Sequence, residues 1–487
     1  MLAADGTRAV WPRADVVVGN PPFLGSSKFL REMGDDYSRD LRKAWEGVVP
    51  GAADLVCYWF ANAWAQIQAG NVERAGLVAT NSIRGGANRE VLIPLVENDA
   101  IIEAWGDEAW TVDGAAVRVS LVCFGGAPVL TTVLNGVAVS DIRADLTANT
   151  YGFDLTKASA LLSNESICFE GFRKYGGLDV DGQTVRVWLN EPQNVIGRKN
   201  AEVLFPYIGG RDIAERAKDV WVIDFNGFDL DVASCFESPF KYTTERVYAY
   251  RQTVRDSQRR ENWWKFGRSG AALRAQMKKL TRLIVTPRVS KHRLFAWYQT
   301  NIRPSDATNA IARDDDTTFG ILHSRFHELW SLRMGTFLGV GNDPRYTPST
   351  TFETFPFPQG LTPNIPAADY ANDPRAIKIA AAAKDLNQKR ENWLNPADLV
   401  VIEPEVVAGY PDRILPRDED AAKILKTRTL TNLYNARPAW LDNAHRILDE
   451  AVAEAYGWGD DWRAGLLTED EILARLFALN QERAGQK

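Results

Sequence analysis

The first part of the chain alternates between short apolar runs and longer segments of helical periodicity. A β-branched run, Val16 to Val18, ends abruptly at Gly19, which is typical of a buried parallel strand that stops at a turn. The segment 54–67 is apolar almost all round and predicts a helix packed on a sheet, closed by Gly70-Asn71. Further strands are predicted at 75–79, 101–105 and 117–124, the last after a turn at Asp113-Gly114.

This strand–helix–strand order predicts an α/β fold, as part of a doubly wound, Rossmann-like sheet. The middle of the chain mixes short strands with helices. After residue 360 the pattern becomes helical, with a proline- and acid-rich connector at 404–420 and a capping signal at Thr468. We therefore predict three domains: the partial sheet in 1–135, a mixed α/β domain in 136–360 and a helical subdomain in 361–487.

Composition narrows the class of protein without indicating a function. Hydrophobic residues make up 45% and charged residues 25% of the 487 positions, ordinary values for a globular protein. No apolar run approaches the roughly 18 residues of a membrane span, and no leader pattern opens the chain. Four widely spaced cysteines form no Cys-x-x-Cys pair, so neither a disulfide scaffold nor a zinc site is indicated. We expect a cytoplasmic protein with no membrane partner.

The distribution of charge changes that picture. The net charge is −6, but residues 241–300 contain fifteen Lys or Arg against three Asp or Glu, so the rest of the chain carries −18. Such asymmetry predicts one basic face in an acidic protein, suited to nucleic acid. Aromatic residues interleave with these charges, as expected for phosphate contact with apolar anchoring. The candidate DNA-binding residues here are Arg259, Arg260, Lys265, Arg268, Arg288, Lys291 and Arg293.

One alternative applies to this basic stretch. It can form a solvated helix face whose tryptophans, Trp263 and Trp264, belong to the core.

His323 and His327 have the i, i+4 spacing of some metal sites, but no Glu lies between them and no third ligand lies nearby. We therefore predict no metal site.

The turn after the first strand carries the candidate chemistry. Asn20-Pro21-Pro22-Phe23 resembles the catalytic Asn/Asp/Ser-Pro-Pro-aromatic motif of amino-group DNA methyltransferases. The side-chain oxygen of Asn20 and the carbonyl of Pro21 can each accept a hydrogen bond from one of the two N–H groups of an exocyclic amine. The lone pair of the amine is then free to attack a methyl group. Phe23 offers a ring on which a flipped base stacks. The alternative is a strand end punctuated by proline, with Phe23 in the core.

Further segments extend this resemblance in the same order along the chain. They are 51–60, 79–86, 110–124 and the stretch that begins at 203–212 and continues through the basic region. Together with the turn, the series is similar to the γ-type N6-adenine DNA methyltransferases. It is most similar to the methyltransferase and target-recognition parts of the MmeI-like single-chain restriction–modification enzymes. The resemblance covers most of residues 14–360. It implies that 1–135 is the C-terminal half of a catalytic domain and that 136–360 is a target-recognition domain.

The resemblance also implies ligands and site residues. S-adenosyl-L-methionine is the implied cofactor and double-stranded DNA the implied partner. Phe124 matches a second aromatic against the flipped base, Ser82 and Gly85 match a segment that lines the base pocket, and Arg84 matches a DNA contact. For Phe124 the alternative is an ordinary core aromatic, and for Arg84 it is a solvated loop arginine.

One departure from the family affects the expected activity. The γ-type order places a cofactor-binding half, with a Phe-x-Gly-x-Gly turn and an acidic residue, ahead of the Pro-Pro motif. Only fourteen residues precede Asp15, so we expect that half to come from a separate chain or from a missing N-terminal segment. The alternative function is a catalytically silent DNA-recognition or specificity subunit, or a truncated fragment.

Overall fold

A computed structural model describes residues 1–3, 5–112, 115–126, 131–148, 155–338 and 343–485. The chain forms two compact units. The first consists of Met1–Ala158 and Met334–Arg345, and the second of Ser159–Arg333 and Tyr346–Lys487. The three-domain division given above stays a prediction. No helix among these described ranges is long and apolar enough to cross a membrane.

The first unit is built on a mixed six-stranded sheet in the order β1-β2-β4-β3-β5-β6. Strands β1 and β2 are parallel, whereas β4 is antiparallel to both of its neighbours, β2 and β3. The α/β prediction is confirmed, and the turn predicted at Asp113-Gly114 lies outside the described residues. The strands are β1 (Ala14–Gly19), β2 (Val72–Thr80), β3 (Ile101–Val112), β4 (Ala115–Gly125), β5 (Thr132–Leu134) and β6 (Val137–Val139).

Strand β1 forms the edge of this sheet, and its burial differs from the prediction. Val16 is 55% exposed and Val18 is 82% exposed. The sequence predicted a fully buried strand, because a β-branched run is typical of central strands. That expectation was wrong for this chain: among the described residues β1 pairs with β2 alone, so one edge and one face have no protein cover.

The helices of the first unit pack on the sheet. The predicted helix at 54–67 is observed as α3, and Gly70 ends it at a φ of 71°, a left-handed conformation that glycine adopts without strain. The α-helices are α1 (Ser26–Met33), α2 (Asp35–Ala44), α3 (Cys57–Gln68), α4 (Gly86–Arg89) and α5 (Ile93–Glu97). Shorter 3₁₀ turns cover Asn81–Arg84, Glu90–Leu92 and Leu155–Lys157.

The second unit contains two four-stranded sheets and a two-stranded hairpin. The sheet orders are β13-β9-β10-β8 and β12-β11-β14-β7. The strands are β7 (Cys168–Glu170), β8 (Asp179–Asp181), β9 (Leu204–Ile208), β10 (Val220–Ile223), β11 (Arg282–Pro287), β12 (Ala296–Gln299), β13 (Arg303–Pro304) and β14 (Thr308–Ile311). The pair β15 (Phe337–Leu338) and β16 (Asp343–Pro344) belongs to the first unit, and β17 (Val400–Glu403) pairs with β18 (Arg413–Pro416).

The helical character of residues 361–487 is confirmed, with one addition. Strand β17 ends just before the connector predicted at 404–420 and β18 lies within it, and the apolar runs of this hairpin are too short to show a period. Helix α20 begins where the capping signal placed it, and the Thr468 side chain accepts the Glu471 N–H. The α-helices of this later part of the chain are α6 (Gly182–Leu189), α7 (Gly210–Ala214), α8 (Leu230–Ser234), α9 (Glu237–Thr243), α10 (Ala249–Gln252), α11 (Ser257–Glu261), α12 (Ala271–Met277), α13 (Asp316–His323), α14 (Arg325–Met334), α15 (Pro374–Leu394), α16 (Glu419–Leu425), α17 (Leu430–Ala436), α18 (Ala439–Ala455), α19 (Gly459–Arg463) and α20 (Glu469–Ala484). Single turns of 3₁₀ or π helix cover Leu162–Asn164, Asn200–Glu202, Thr244–Tyr248, Pro348–Phe352 and Ala367–Tyr370.

A buried ionic triad joins distant segments of the second unit. The carboxylate of Asp224, which is 4% exposed, accepts hydrogen bonds from Arg274 at 2.6 and 3.0 Å and from Arg303 at 2.6 Å. Burial alone would raise the pKa of Asp224, but the two guanidinium groups outweigh it and lower the pKa to about 2. The triad therefore fixes α12 and β13 to the end of β10.

Replacement of Asp224 by Asn should destabilise the second unit. The change keeps the side chain's shape but leaves two partly buried guanidinium groups without a counter-charge, so we expect the free energy of unfolding to fall by about 3 kcal/mol. Urea denaturation followed by tryptophan fluorescence measures this. The matched control is Asp420→Asn, which removes a carboxylate from an ion pair whose Asp420 side chain is 87% exposed and should change little. Equal effects of the two changes would contradict the assigned role of the triad.

The same carboxylate gives the stability a defined pH dependence. Its pKa is about 2 in the folded chain and 3.8 as the ordinary value. Because the folded pKa is the lower one, the stabilisation is complete above about pH 4 and is lost as the pH falls towards 2. We expect the stability difference between the parent chain and Asp224→Asn to be constant between pH 5 and 7 and to shrink below pH 4. A difference that does not depend on pH in this window would contradict the prediction.

Candidate functional site

The Asn20-Pro21-Pro22-Phe23 turn follows the carboxyl end of β1. Gly19, the last residue of β1, pairs with Leu77 of the parallel neighbour β2. Asn20 is exposed, Pro21 is buried and Phe23 is half-buried. A tight hydrogen bond from the Leu24 N–H to the Pro22 carbonyl (3.0 Å) closes the turn. The structure therefore holds the Asn20 amide at the sheet edge where parallel α/β proteins place their ligands.

A polar network behind this turn is centred on Asp54. Its carboxylate accepts hydrogen bonds from the hydroxyl of Ser82 (3.0 Å) and the amide of Asn88 (2.7 Å), and its own N–H donates to the Asn88 side-chain oxygen (2.8 Å). The next residue, Leu55, donates its N–H to the carbonyl of Leu24 (2.9 Å). The segment just before α3 thus ties the turn after β1 to the loop after β2.

Sequence reasoning did not single out Asp54 or Asn88. The available signal was an acidic residue within an otherwise apolar motif, 51–60. Ser82, a predicted site residue, does join this network, where its hydroxyl also lies 2.7 Å from that of Thr80. Gly85 lies further along the same loop. A Cβ there would come within 3.2 Å of the Thr336 side chain, so this position favours a residue without one.

Arg84 is engaged within the protein. Its guanidinium donates to the backbone carbonyl of Asp145 (2.9 Å), to that of Gly106 (3.4 Å) and to the side chain of Asn81 (3.4 Å). These bonds connect the loop after β2 with β3 and with the segment near residue 145. The placement favours a structural role for Arg84 over the predicted contact with DNA.

Phe124 lies in the core of the first unit. Its ring is fully buried and stacks on Phe60 of α3, with the ring centroids 5.8 Å apart and the planes 19° apart. It pairs with Ala75 near the start of β2, whereas the residue before the candidate turn pairs with Leu77. Because no ring face is exposed, the geometry favours the core alternative over contact with a flipped base.

The basic stretch does not form a single face. Arg251 and Arg293 are buried, and Arg274 is part of the Asp224 triad. Trp263 and Trp264 are only 8% and 7% exposed, so they are core residues and not anchors for DNA. The prediction of one basic face was therefore wrong in part, because charge counted along the sequence includes arginines whose partners lie elsewhere in the chain.

Arg293 is the clearest correction among the DNA-binding candidates. It is 7% exposed, and its guanidinium donates to the hydroxyl (2.9 Å) and to the carbonyl (3.1 Å) of Ser331. Burial lowers the pKa of Arg293 to about 10. Its guanidinium also lies 5.5 Å from the ring centroid of Tyr346. The side chain holds the core of the second unit together and is not available to DNA.

The remaining DNA-binding candidates differ in how far their side chains are engaged within the protein. Arg288 forms an ion pair with Glu170, and Lys291 donates a hydrogen bond to the Asn435 side chain at 2.6 Å. Arg260 donates hydrogen bonds to two backbone carbonyls just before α11. Lys265 lies over the Trp264 ring and Arg259 over the Tyr175 ring, at 5.1 and 4.2 Å from the centroids. Arg268 is exposed, and within the described ranges its side chain has no bonding partner.

The two histidines at i, i+4 spacing have their ring nitrogens engaged. His323 accepts a hydrogen bond from Arg390 (2.6 Å) at Nε2 and donates from Nδ1 to the Phe319 carbonyl (3.0 Å). His327 donates to the Leu322 carbonyl and accepts from the Tyr346 hydroxyl. Burial lowers the pKa of His327 to about 3. In the part of the chain that the structure describes, no group of three His, Cys, Asp or Glu side chains could hold a metal ion.

Family models match two separate regions of the chain. The MmeI DNA-methyltransferase domain matches residues 5–131, and the MmeI target recognition domain matches residues 174–359. Together they account for more than half of the 487 residues. A search of curated proteins gives no match.

Solved structures agree with this assignment at the level of the fold. The chain is similar to the Type IIL restriction–modification enzyme MmeI in complex with DNA, with a TM-score of 0.70 and 21% identity over 97% of this chain. It spans 57% of the length of that enzyme. The Type IIG endonuclease BpuSI and the DNA-bound Type ISP enzyme LlaBIII match with TM-scores of only 0.24 and 0.32, at 10% and 9% identity. Each of these two matches covers 92% of this chain; they cover 55% of the BpuSI chain and 38% of the LlaBIII chain. The chain belongs to the MmeI-like restriction–modification enzymes, whose methyltransferase and target recognition domains it carries.

Proposed function

We propose that the chain transfers a methyl group to the N6 atom of adenine in double-stranded DNA, with S-adenosyl-L-methionine as the donor. The observation that carries this proposal is the Asn20-Pro21-Pro22-Phe23 turn at the carboxyl end of a parallel strand in a DNA-methyltransferase domain. An exposed amide at this position, beside a half-buried aromatic ring, suits an exocyclic amine of a flipped base.

The residues of the turn act by binding and by orienting the amine. The Asn20 side-chain oxygen and the Pro21 carbonyl each accept a hydrogen bond from one of the two N–H groups of the adenine amine. This makes the nitrogen pyramidal and exposes its lone pair. Phe23 stacks on the base. Asn20 is neutral, so it does not neutralise a positively charged donor as a carboxylate would. The network of Asp54, Ser82 and Asn88 fixes the turn relative to the loop after β2.

The free edge of β1 fits a sheet that continues beyond this chain. S-adenosyl-L-methionine, when bound, supplies the electrophilic methyl group. In our proposal its pocket is completed by further strands beside β1, from a separate polypeptide or an additional segment, and the helices that connect these strands cover Val16 and Val18. The exposure of the two valines supports this, because apolar side chains on a strand edge are a liability unless they are covered.

A second candidate function rests on the same exposed edge. Without the covering strands, the chain would act as a DNA-recognition subunit that has no methyltransferase activity of its own. The target recognition domain supports DNA binding in either case. The cellular location that we propose is the cytoplasm.

Replacement of Asn20 by Ala should abolish methyl transfer while leaving DNA binding intact. The change removes one of two acceptors for the amine, and we expect the rate to fall by about 10²–10³-fold or more. The measurement is mass spectrometry of nucleosides from DNA that has been incubated with the complete enzyme and labelled donor. This readout separates N6-methyladenine from methylated cytosines.

Two control variants sharpen this experiment. Asn20→Asp keeps a side-chain acceptor and should retain more activity than Asn20→Ala. Asn372→Ala changes an exposed asparagine of the second unit and should leave the rate unchanged. Full activity of Asn20→Ala would contradict the catalytic assignment, and labelled cytosine instead of adenine would contradict the proposed substrate.

A further inference from the structure

Two loops of the second unit meet around Tyr175. Tyr175 has a φ of 49°, in the left-handed region that non-glycine residues rarely occupy, and Gly176 follows at 116°. The N–H groups of Gly267 and Arg268 donate to the carbonyls of Lys174 (3.0 Å) and Arg173 (3.2 Å). The backbone around Tyr175 is therefore strained and held in place by a second segment, an arrangement that is often found at functional sites.

A buried arginine joins the same two loops. Arg251 is 1% exposed, and its Nη2 donates to the carbonyls of Lys174 (2.7 Å), Tyr175 (2.6 Å) and Lys265 (3.1 Å). Its Nε and Nη1 are buried and have no hydrogen-bond partner. Among the residues that the structure describes, no carboxylate forms an ion pair with it. A buried charge without a counter-ion is costly, so the surroundings of Arg251 favour a nearby negative charge.

Further arginines surround the ring of Tyr175. The ring packs on the backbone of Gly267, where a Cβ would lie 2.4 Å from Tyr175 Cδ2. The Arg259 guanidinium lies 4.2 Å from the ring centroid, and Arg173 donates to the tyrosine hydroxyl at 3.4 Å. The bond from Arg173 lowers the pKa of Tyr175, and the charges of Arg259 and Arg268 add to that effect. The hydroxyl thus lies in a positive field.

The charges of this cluster do not balance. Among the described residues, two carboxylates form ion pairs with this cluster, which contains four guanidinium groups: those of Arg173, Arg251, Arg259 and Arg268. One of the carboxylates, Glu170, is shared between Arg173 and Arg288, and the other, Asp256, pairs with Arg259. Arg268 is exposed and adds its charge at the surface. An anion with several oxygen atoms can accept hydrogen bonds from the exposed Arg268 and from the Tyr175 hydroxyl while the buried Arg251 adds its charge, and phosphate has this chemistry.

We propose that the Tyr175 cluster, formed by Arg173, Tyr175, Arg251, Arg259 and Arg268, binds a backbone phosphate of double-stranded DNA. This inference rests on the DNA-binding part of the proposed function. The choice of DNA follows from the location of the cluster, which lies in or directly beside the target recognition domain matched at 174–359. In this arrangement the phosphate contacts Arg268 and the Tyr175 hydroxyl, and Arg251 contributes its charge from behind. The contact positions the duplex and reads no base.

The test is the salt dependence of DNA binding by the full chain without cofactor. Fluorescence anisotropy with a labelled duplex gives the affinity of the parent and of Arg268→Ala between about 50 and 200 mM salt. We expect Arg268→Ala to bind roughly five- to tenfold more weakly near 0.1 M salt, with a slope of log K against log salt that is smaller by about one. The loss should be equal for duplexes of unrelated sequence. Arg268→Lys should restore most of the slope.

The matched control is Arg446→Ala, which removes another exposed arginine of the second unit, on α18, and should keep the parent slope. An Arg268→Ala slope equal to that of the parent or of the control would overturn the inference, as would a parent chain that fails to bind duplex DNA. Equal or tighter binding of duplex RNA would overturn the choice of DNA. Because the readout is DNA binding without cofactor and not methyl transfer, a failure of the catalytic proposal stays distinguishable.

Discussion

The pairing of β1 with β2 is the constraint on which the candidate chemistry depends. Gly19, the last residue of β1, pairs with Leu77, three residues before the end of β2, and the prolines after Asn20 prevent further extension of the strand. Asp54 and Leu55 link the turn after β1 to the loop that contains Ser82. Among the described residues β1 pairs only with β2, and Val16 and Val18 are exposed. The position that presents the amide thus also depends on what covers this strand.

The second unit uses its positive charge in two ways. Some arginines are internal. Arg274 and Arg303 neutralise the buried Asp224, and Arg293 bonds Ser331. Others differ: Arg268 remains at the surface, and Arg251, next to Tyr175, is buried and forms no ion pair among the described residues. A basic composition is therefore not in itself a binding surface, and burial and pairing decide which cations are available to DNA.

Local features of the sequence predicted local structure well. The proline turn after β1, the apolar helix ended by Gly70 and the cap at Thr468 depend on residues that are neighbours in the chain, so their chemistry can be read directly. The exposure of β1 could not be predicted in this way, because a β-branched run has the same pattern whether its neighbouring strands are present or not.

The environment of the site residues depends on long-range contacts, which could not be predicted from the sequence. Asp54 and Asn88 are 34 positions apart, and no spacing rule connects them. Arg268 and Arg293 have the same chemistry and lie in the same basic stretch, yet one is exposed and the other buried. That difference depends on which segments pack against each residue. The buried Phe124 shows the same limit, because its place in the strand order gave no information about the access to its ring.

We propose that this chain carries the base-binding side of a methyltransferase whose cofactor pocket is completed beside β1. A calorimetric titration with S-adenosyl-L-methionine distinguishes this arrangement from a pocket that the chain forms alone. The titration uses the chain alone and the chain together with the polypeptide encoded immediately upstream, or extended by that segment. Binding only when the additional polypeptide is present is the predicted result. Tight binding by the chain alone would contradict the claim that the pocket needs strands beside β1, and no binding in either case would contradict the methyltransferase proposal.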